Sequence, residues 1–199
     1  MKGMNIMKKI LTVLMVLGSM LCYALVITDP IADGISRSLL RFHIIAESNS
    51  DKDQKIKYDV RDYVSEKLSD AGYVNLSDYA AKAESYANER LQQIGAPYSA
   101  NAKVERVFIP KKSYKNISLP SGRYNALRLE IGKAEGENWW CVAYPSLCFS
   151  EKTEGELSEK GEEKLKNSVG NDELELIKGE KKIKFFVVDL MGKVREYLM

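Results

Sequence analysis

The predicted β-sheet is centred on Arg123-Tyr124-Asn125-Ala126-Leu127-Arg128-Leu129-Glu130-Ile131. The last three aliphatic side chains of this stretch fall on alternate positions, and successive side chains of a strand point to opposite faces of the sheet. Residues 103–110 alternate in the same way, and residues 139–144 follow after a short turn. Because consecutive strands with short connections usually pair with each other, we expect these three strands to form an antiparallel meander.

Helices are predicted on both sides of these strands in the sequence. The first begins at Ser50, which can cap it together with Asp53 three residues later, and ends at Gly72. The second begins at Asn75 or Ser77 and ends at Gly95. A last helix at the C-terminus is expected to pack on the sheet. The apolar faces of the three helices repeat at helical spacing: Ile56, Val60, Val64 and Leu68; Tyr79, Ala83, Ala87 and Leu91; Ile183, Phe186, Leu190 and Val194.

The remaining segments complete an α+β fold class, with an antiparallel sheet packed by helices. Residues 39–46 are apolar, with Arg41 and His43 on alternate positions, and are typical of a strand with one mixed face. Residues 151–179 are rich in Glu and Lys and indicate a solvated helix or a mobile loop. On the first helix, Lys57 and Arg61 fall on the side expected to face water.

The N-terminal segment has the pattern of an export signal. Lys8 and Lys9 precede an uncharged, mostly apolar run over residues 10–27, which places the C-terminal part outside the membrane. The length of the run fits both an uncleaved anchor and a cleaved signal peptide. The predicted organisation is therefore a signal peptide or anchor at 1–27, a linker at 28–38 and one extracytoplasmic domain at 39–199.

The overall charge does not indicate a nucleic-acid partner. The formal net charge is +2, with Lys+Arg 30 nearly balanced by Asp+Glu 28, and no basic stretch dominates. A composition of 45% hydrophobic and 29% charged residues is that of a globular chain. We expect no binding of DNA or RNA.

Two cysteines, Cys141 and Cys148, flank Pro145 beyond the predicted membrane segment. Outside the membrane such a pair can form and keep a disulfide. Two sulfurs supply too few ligands for structural zinc, and the single histidine, His43, is remote in sequence. We therefore expect a disulfide that fixes the turn around the proline; two free thiols, one of them acting as a nucleophile, are the alternative.

Catalytic and metal-binding patterns are incomplete. His43 is the only histidine, and no Gly-x-Ser-x-Gly motif accompanies it, so a strand histidine bonded to polar neighbours explains it better than a catalytic base. Asn49, Asp51 and Asp53 resemble the start of a calcium loop, but the required glycine and final glutamate are missing. The sequence predicts no catalytic residue, no metal and no cofactor.

Adjacent Trp139 and Trp140 must point to opposite faces of a strand. One is expected to enter the core, while the other faces outward as a binding anchor or lies beneath a covering segment.

Two groups of residues resemble the stage II sporulation protein R family. The first is Leu40-Arg41-x-His43-Ile44-Ile45-Ala46-x-Ser48-x-Ser50, continued by Asp53-Gln54 and Val60-Arg61-Asp62. The second comprises Gly122-x-Tyr124-x-Ala126-Leu127-Arg128, Ile131-Gly132 and the stretch from Asn138 to Phe149. The chain departs from the family pattern at Glu47, Asn49 and Ser146.

The resemblance implies a non-enzymatic signalling protein of endospore formation. Members of the family are exported from the forespore into the space between two membranes, where they activate a membrane-embedded aspartyl protease of the mother cell that processes a pro-sigma factor. The partner-binding residues expected from the clustering of unusual side chains are Arg41, His43, Ser48, Asn49, Trp139 and Trp140. The rival hypothesis is an exported, membrane-anchored cell-wall hydrolase, which requires a cleft lined by converging acids or by His43 with an acid and a hydroxyl.

Overall fold

The computed structural model describes residues 2–71, 75–114, 117–145 and 159–198. Its helices are α1 (Lys2–Ser38), α2 (Asp51–Ala71), α3 (Leu76–Gln93), α4 (Glu159–Ser168), α5 (Asn171–Ile177) and α6 (Lys182–Leu198). Its strands are β1 (Leu40–Ile45), β2 (Ala100–Ile109), β3 (Lys112–Ser113), β4 (Ser118–Leu119), β5 (Gly122–Ile131) and β6 (Asn138–Tyr144). The α+β class, with a mostly antiparallel sheet packed by helices and an apolar N-terminal helix, is confirmed; the extracytoplasmic placement stays a prediction.

The main sheet has the strand order β2-β5-β1-β6. β2 and β6 run antiparallel to their neighbours, whereas β1 runs parallel to β5. The expected meander is therefore wrong at one point, because β1 lies between β5 and β6. Between β1 and its parallel neighbour β5 the chain passes through α2, α3 and β2, a connection long enough to join parallel strands.

One face of the sheet packs against α2 and α3. Phe42 and Ile44 of β1 meet Val60 and Val64 of α2, all nearly inaccessible, in a cluster that also contains the small-residue face of α3. Burial of each such side chain contributes about 1.5–3 kcal/mol, which is why the helical stripe read from the sequence faces inward. Asn75 caps α3 by accepting from the Asp78 amide, as expected, while Gly72, the predicted end of the preceding helix, lies outside the described residues.

The other face is half covered by α1, α5 and α6. Residues 28–38, expected as a linker, instead continue α1, and Ile35 is fully buried against the sheet. Within the segment expected to be solvated, Leu165 of α4 and Leu176 of α5 also join this core. The covered half of the face is formed around Tyr124, Ala126 and Val142.

Helix α6 is fixed to the start of β5 by a buried carboxylate. Asp189 Oδ1 accepts hydrogen bonds from the backbone N and the Oγ of Ser121, both at 2.7 Å. Gly192 follows one turn later, and a Cβ there would stand 2.2 Å from the Ser121 carbonyl oxygen. The close approach of α6 to Ser121 therefore requires glycine at position 192. The expected packing of the C-terminal helix on the sheet is confirmed.

Candidate partner-binding surface

Arg41 points to the face that α1, α5 and α6 partly cover, and it is completely buried there. Its Nε donates to the Cys141 carbonyl at 3.2 Å, and its guanidinium carbon lies 5.2 Å from the centroid of the Tyr124 ring. Neither Nη1 nor Nη2 has an acceptor within hydrogen-bond distance among the described residues, but the guanidinium is close enough to the Tyr114 hydroxyl to oppose the rise in its pKa that burial causes. Arg41, predicted as a contact residue, therefore lies beneath the surface and can act on a partner only through the side chains above it.

His43 lies two residues further along β1 and stacks on Trp140, its cross-strand neighbour in β6. The ring centroids are 3.7 Å apart and the planes differ by 9°. His43 Nε2 lies 2.6 Å from Asn138 Oδ1, which places the proton of the neutral ring on Nε2. Burial lowers the pKa of His43 below its ordinary value, with the hydrogen bond to Asn138 opposing the shift, so the ring is uncharged at neutral pH.

A strip of paired charges borders this stack on β2 and β5. Arg128, which is paired with His43 in the parallel register, lies 3.3 Å from Glu105 and 2.6 Å from Glu130. Lys103 reaches Glu105 at 3.3 Å. We call His43, Asn138, Trp140, Arg128 and Glu105 the Trp140 face. It lies beside the core that α1, α5 and α6 form on this sheet face, and Trp140 packs against that core. The Trp140 face combines a flat aromatic stack with charges of both signs.

Trp139 points to the opposite side of the sheet, as strand alternation predicts, so the two tryptophans are not on one surface. Its ring meets Tyr58 edge-on at 5.4 Å, and the Arg61 guanidinium carbon lies 4.7 Å from its centroid. Both tryptophans are half-buried, and each packs against a core cluster, Trp139 on the side of α2 and α3 and Trp140 on the other side.

Two cations of α2 expected to face water are buried instead. Lys57 and Arg61 each have only 1% of their surface exposed. Lys57 Nζ donates to the Glu137 carbonyl at 3.0 Å, and Arg61 is held between the rings of Tyr58 and Trp139. Helical spacing alone misplaced them because it could not show that the turn before β6 and the ring of Trp139 cover this side of the helix.

Ser48 and Asn49 lie beyond the end of β1 and have different surroundings. Ser48 Oγ donates to Asp53 Oδ2 at 2.5 Å and accepts from the Ser50 amide at 3.1 Å. Ser50 Oγ accepts from the Asp53 amide at 3.1 Å, so the predicted N-cap is confirmed. Asn49 is exposed. The local bonds of Ser48 hold the start of α2, whereas Asn49 is open to contact.

The loop that contains Ser48 is locked to the turn before β6. The backbone N of Gly136 donates to the Ala46 carbonyl at 3.0 Å, and a Cβ on Gly136 would stand 2.4 Å from the Ser48 carbonyl oxygen. Glu47 accepts from the Lys133 amide at 2.5 Å. The turn and the loop therefore fix the position of Asn138, the residue that holds His43.

The ring of His43 is held by one polar and one aromatic neighbour, Asn138 and Trp140. Its hydrogen-bond partner in the described part of the chain is an amide, and no hydroxyl, thiol or carboxylate there bonds to the ring. Sequence reasoning missed Asn138, Arg128 and Glu105 as neighbours of His43. The patterns could have found them only with the strand order, since β1 was not expected between β5 and β6.

Cys141 is fully buried on the side of the sheet that faces α2 and α3. Cys148, its expected disulfide partner, lies outside the described residues. The disulfide therefore stays a prediction.

These features define a class of protein: an α+β domain that follows an apolar N-terminal helix, with a histidine–tryptophan stack and paired charges on one face of its sheet. The sequence profile of stage II sporulation protein R matches residues 36–154, which include β1 to β6. The chain belongs to the stage II sporulation protein R family. The resemblance read from its motifs is confirmed, and membership gives the protein a role in sporulation.

One relative is stage II sporulation protein R of Bacillus subtilis (strain 168). It is 31% identical to this chain over 135 residues, which are 63% of this chain and 60% of the relative. The chain thus aligns with less than two thirds of that protein's length. No solved structure matches the chain. The apolar helix α1 fits a signal or an anchor, and the family fits an exported protein.

Proposed function

We propose that this protein is an exported activator of the membrane-embedded aspartyl protease that processes a pro-sigma factor of the mother cell. Family membership over residues 36–154 carries the proposal. The apolar part of α1 from Ile6 to Ala24 supports export, because it is long and apolar enough to cross a membrane and none of it is buried. The signal runs from the forespore to the space between the two membranes.

The Trp140 face is the surface that we assign to the protease. Trp140 offers a large half-buried ring that is already held in place by His43, so little side-chain entropy is lost on binding. Arg128 and Glu105 beside it provide charges for orientation. Activation requires this face to bind the active arrangement of the protease more tightly than the inactive one.

The test is reconstitution in a non-sporulating host that co-expresses this chain, the protease and the pro-sigma factor. Processing should occur only when all three are present. Trp140→Ala should reduce it strongly, whereas Trp140→Phe, which keeps a ring against His43, should retain part of it. Lys55→Ala, on the exposed side of α2, is the matched control and should process normally. Equal processing by all three variants at equal exported amounts would remove the Trp140 face from the proposal.

We also propose the Cys141–Cys148 disulfide in the exported protein. The chain has three cysteines, and Cys22 is free. Alkylation of the denatured, unreduced full-length chain should then modify one thiol, at Cys22, and modification of all three would refute the bond.

A further inference from the structure

Helix α6 is apolar on two opposite sides. Phe185, Val188 and Met191 face the core. The outward side carries exposed apolar residues at helical spacing, with these exposed fractions: Ile183 83%, Phe186 63%, Leu190 41%, Tyr197 92% and Leu198 72%. A helix that is apolar on both sides is normally covered on both. This stripe lies outside residues 36–154, the part of the chain that matches the family.

The C-terminal end of this stripe lies at a fixed height above the apolar segment of α1. Arg195 Nη2 donates to Thr28 Oγ1 at 2.9 Å, and Thr28 is buried. Thr28 follows Ala24, the last residue of the candidate membrane span, by four residues of continuous helix, or about 6 Å at 1.5 Å per residue. The head-group layer on each side of a bilayer is about 5–8 Å thick. If α1 crosses a bilayer, Arg195 is therefore held at head-group level through Thr28, and Tyr197 and Leu198 follow it by two and three residues on the same helix.

The charges at this level favour an anionic surface. A cavity of about 300 Å³ beside the end of α6 is lined by Arg106, Arg123 and Arg195 together with Asp33 and Glu196. Arg123 is paired with Glu196 at 2.9 Å and Arg106 lies 3.8 Å from Asp33, so three guanidinium groups against two carboxylates leave one positive charge in excess next to exposed apolar side chains. Tyrosine is also enriched where proteins cross the membrane–water boundary, because its ring is apolar and its hydroxyl is polar.

We propose that the last turn of α6 is a membrane contact: Tyr197 and Leu198 enter the head-group layer of the bilayer that holds α1, with Arg195 and Arg123 next to anionic phospholipids. The domain is then attached to the bilayer at two points, through α1 and through α6, which fixes its tilt. The Trp140 face is consequently held at one orientation relative to any partner within the same bilayer. The inference requires α1 to be retained, and it goes beyond the proposed activation of a protease.

The test uses the full chain with Cys22→Ser in vesicles of phosphatidylethanolamine and phosphatidylglycerol. A single cysteine is added as Leu198→Cys or, as the matched control on the same stripe, Ile183→Cys, and is labelled with a polarity-sensitive fluorophore. The two positions are 15 residues apart on one helix, or about 22 Å. Cys22→Ser without an added cysteine gives the background from Cys141 and Cys148.

Lipids that carry a spin label close to the head group should quench the fluorophore at position 198 several-fold more strongly than at position 183. Replacing phosphatidylglycerol with phosphatidylcholine should weaken the quenching at position 198. No quenching at position 198, or equal quenching at both positions, would overturn the proposal. It would also be overturned if the fluorophore at position 198 became less polar in its surroundings only as the protein density in the vesicles rose, because a second copy would then cover this position. The mobility of the full chain on a denaturing gel shows whether α1 has been retained. Processing of the pro-sigma factor is measured separately, so a failure of the membrane contact can be told from a failure of the proposed function.

Discussion

The buried guanidinium of Arg41 leads to a quantitative prediction for stability. Replacement by Met removes one hydrogen bond from a charged donor, to the Cys141 carbonyl, worth about 1.5–3 kcal/mol, and the contact with the Tyr124 ring, worth about 0.5–2 kcal/mol. It also removes the cost of holding a cation out of water where neither Nη group has an acceptor within hydrogen-bond distance among the described residues, a cost of several kcal/mol. The opposing contributions nearly cancel, so Arg41→Met should unfold within about 1 kcal/mol of the parent chain or be more stable.

Arg41→Ala is the comparison that separates charge from volume. It removes the same cation but leaves a cavity in a fully buried site, and should cost about 2–5 kcal/mol. Urea unfolding of the full chain in detergent, followed by the fluorescence of Trp139 and Trp140, measures both variants. A Met variant as unstable as the Ala variant would refute the reasoning, because the guanidinium would then be a net stabilising group.

Three further predictions concern pH and packing. Burial lowers the pKa of His43 in the folded protein, so the unfolded chain binds a proton more readily. The free energy of unfolding should therefore fall as the pH drops below about 6.5. His43→Phe keeps a ring against Trp140 and should lose this pH dependence in urea titrations. Hydrogen bonds from Ser48 and Tyr98 lower the pKa of Asp53. Their contribution to the free energy of unfolding should be complete above pH ~4 and should disappear as the pH falls further. Asp53→Asn should weaken this loss of stability in acid. Gly192→Ala should lower the free energy of unfolding by about 1–3 kcal/mol because its Cβ meets a backbone carbonyl, whereas Gly18→Ala, with open space around it, should not.

Local chemistry made the elements predictable from the sequence. Ser50 and Asn75 accept from the amides three residues ahead, which is a property of a few adjacent side chains. Alternation correctly placed Trp139 and Trp140 on opposite faces of β6. The family resemblance depended on motifs that the sequence shows directly, and it was confirmed.

The neighbours of each element were less predictable because they depend on partners distant in sequence. Nothing in residues 39–46 indicates that β1 pairs with β5 on one side and β6 on the other, and without that order Asn138 could not be placed beside His43. The same limit explains Lys57 and Arg61, whose charges suggested exposure although aromatic rings and a carbonyl cover them. Residues 28–38 contain Pro30 and Gly34, which locally favour a loop. The segment is helical nevertheless, because it packs against α5 and α6.

The central position of β1 has a consequence for the order in which the sheet can form. A chain leaves the ribosome N-terminus first, so β1 emerges early, yet Leu40 pairs with Asn125 on one side and Tyr144 on the other, about 80 to 100 residues later. Until β5 and β6 are available, the apolar strand has neither of its neighbours, and α2 and α3 have no sheet on which to pack. The sheet therefore closes only after nearly three quarters of the chain has been delivered, so the native Trp140 face cannot form on a shorter nascent chain.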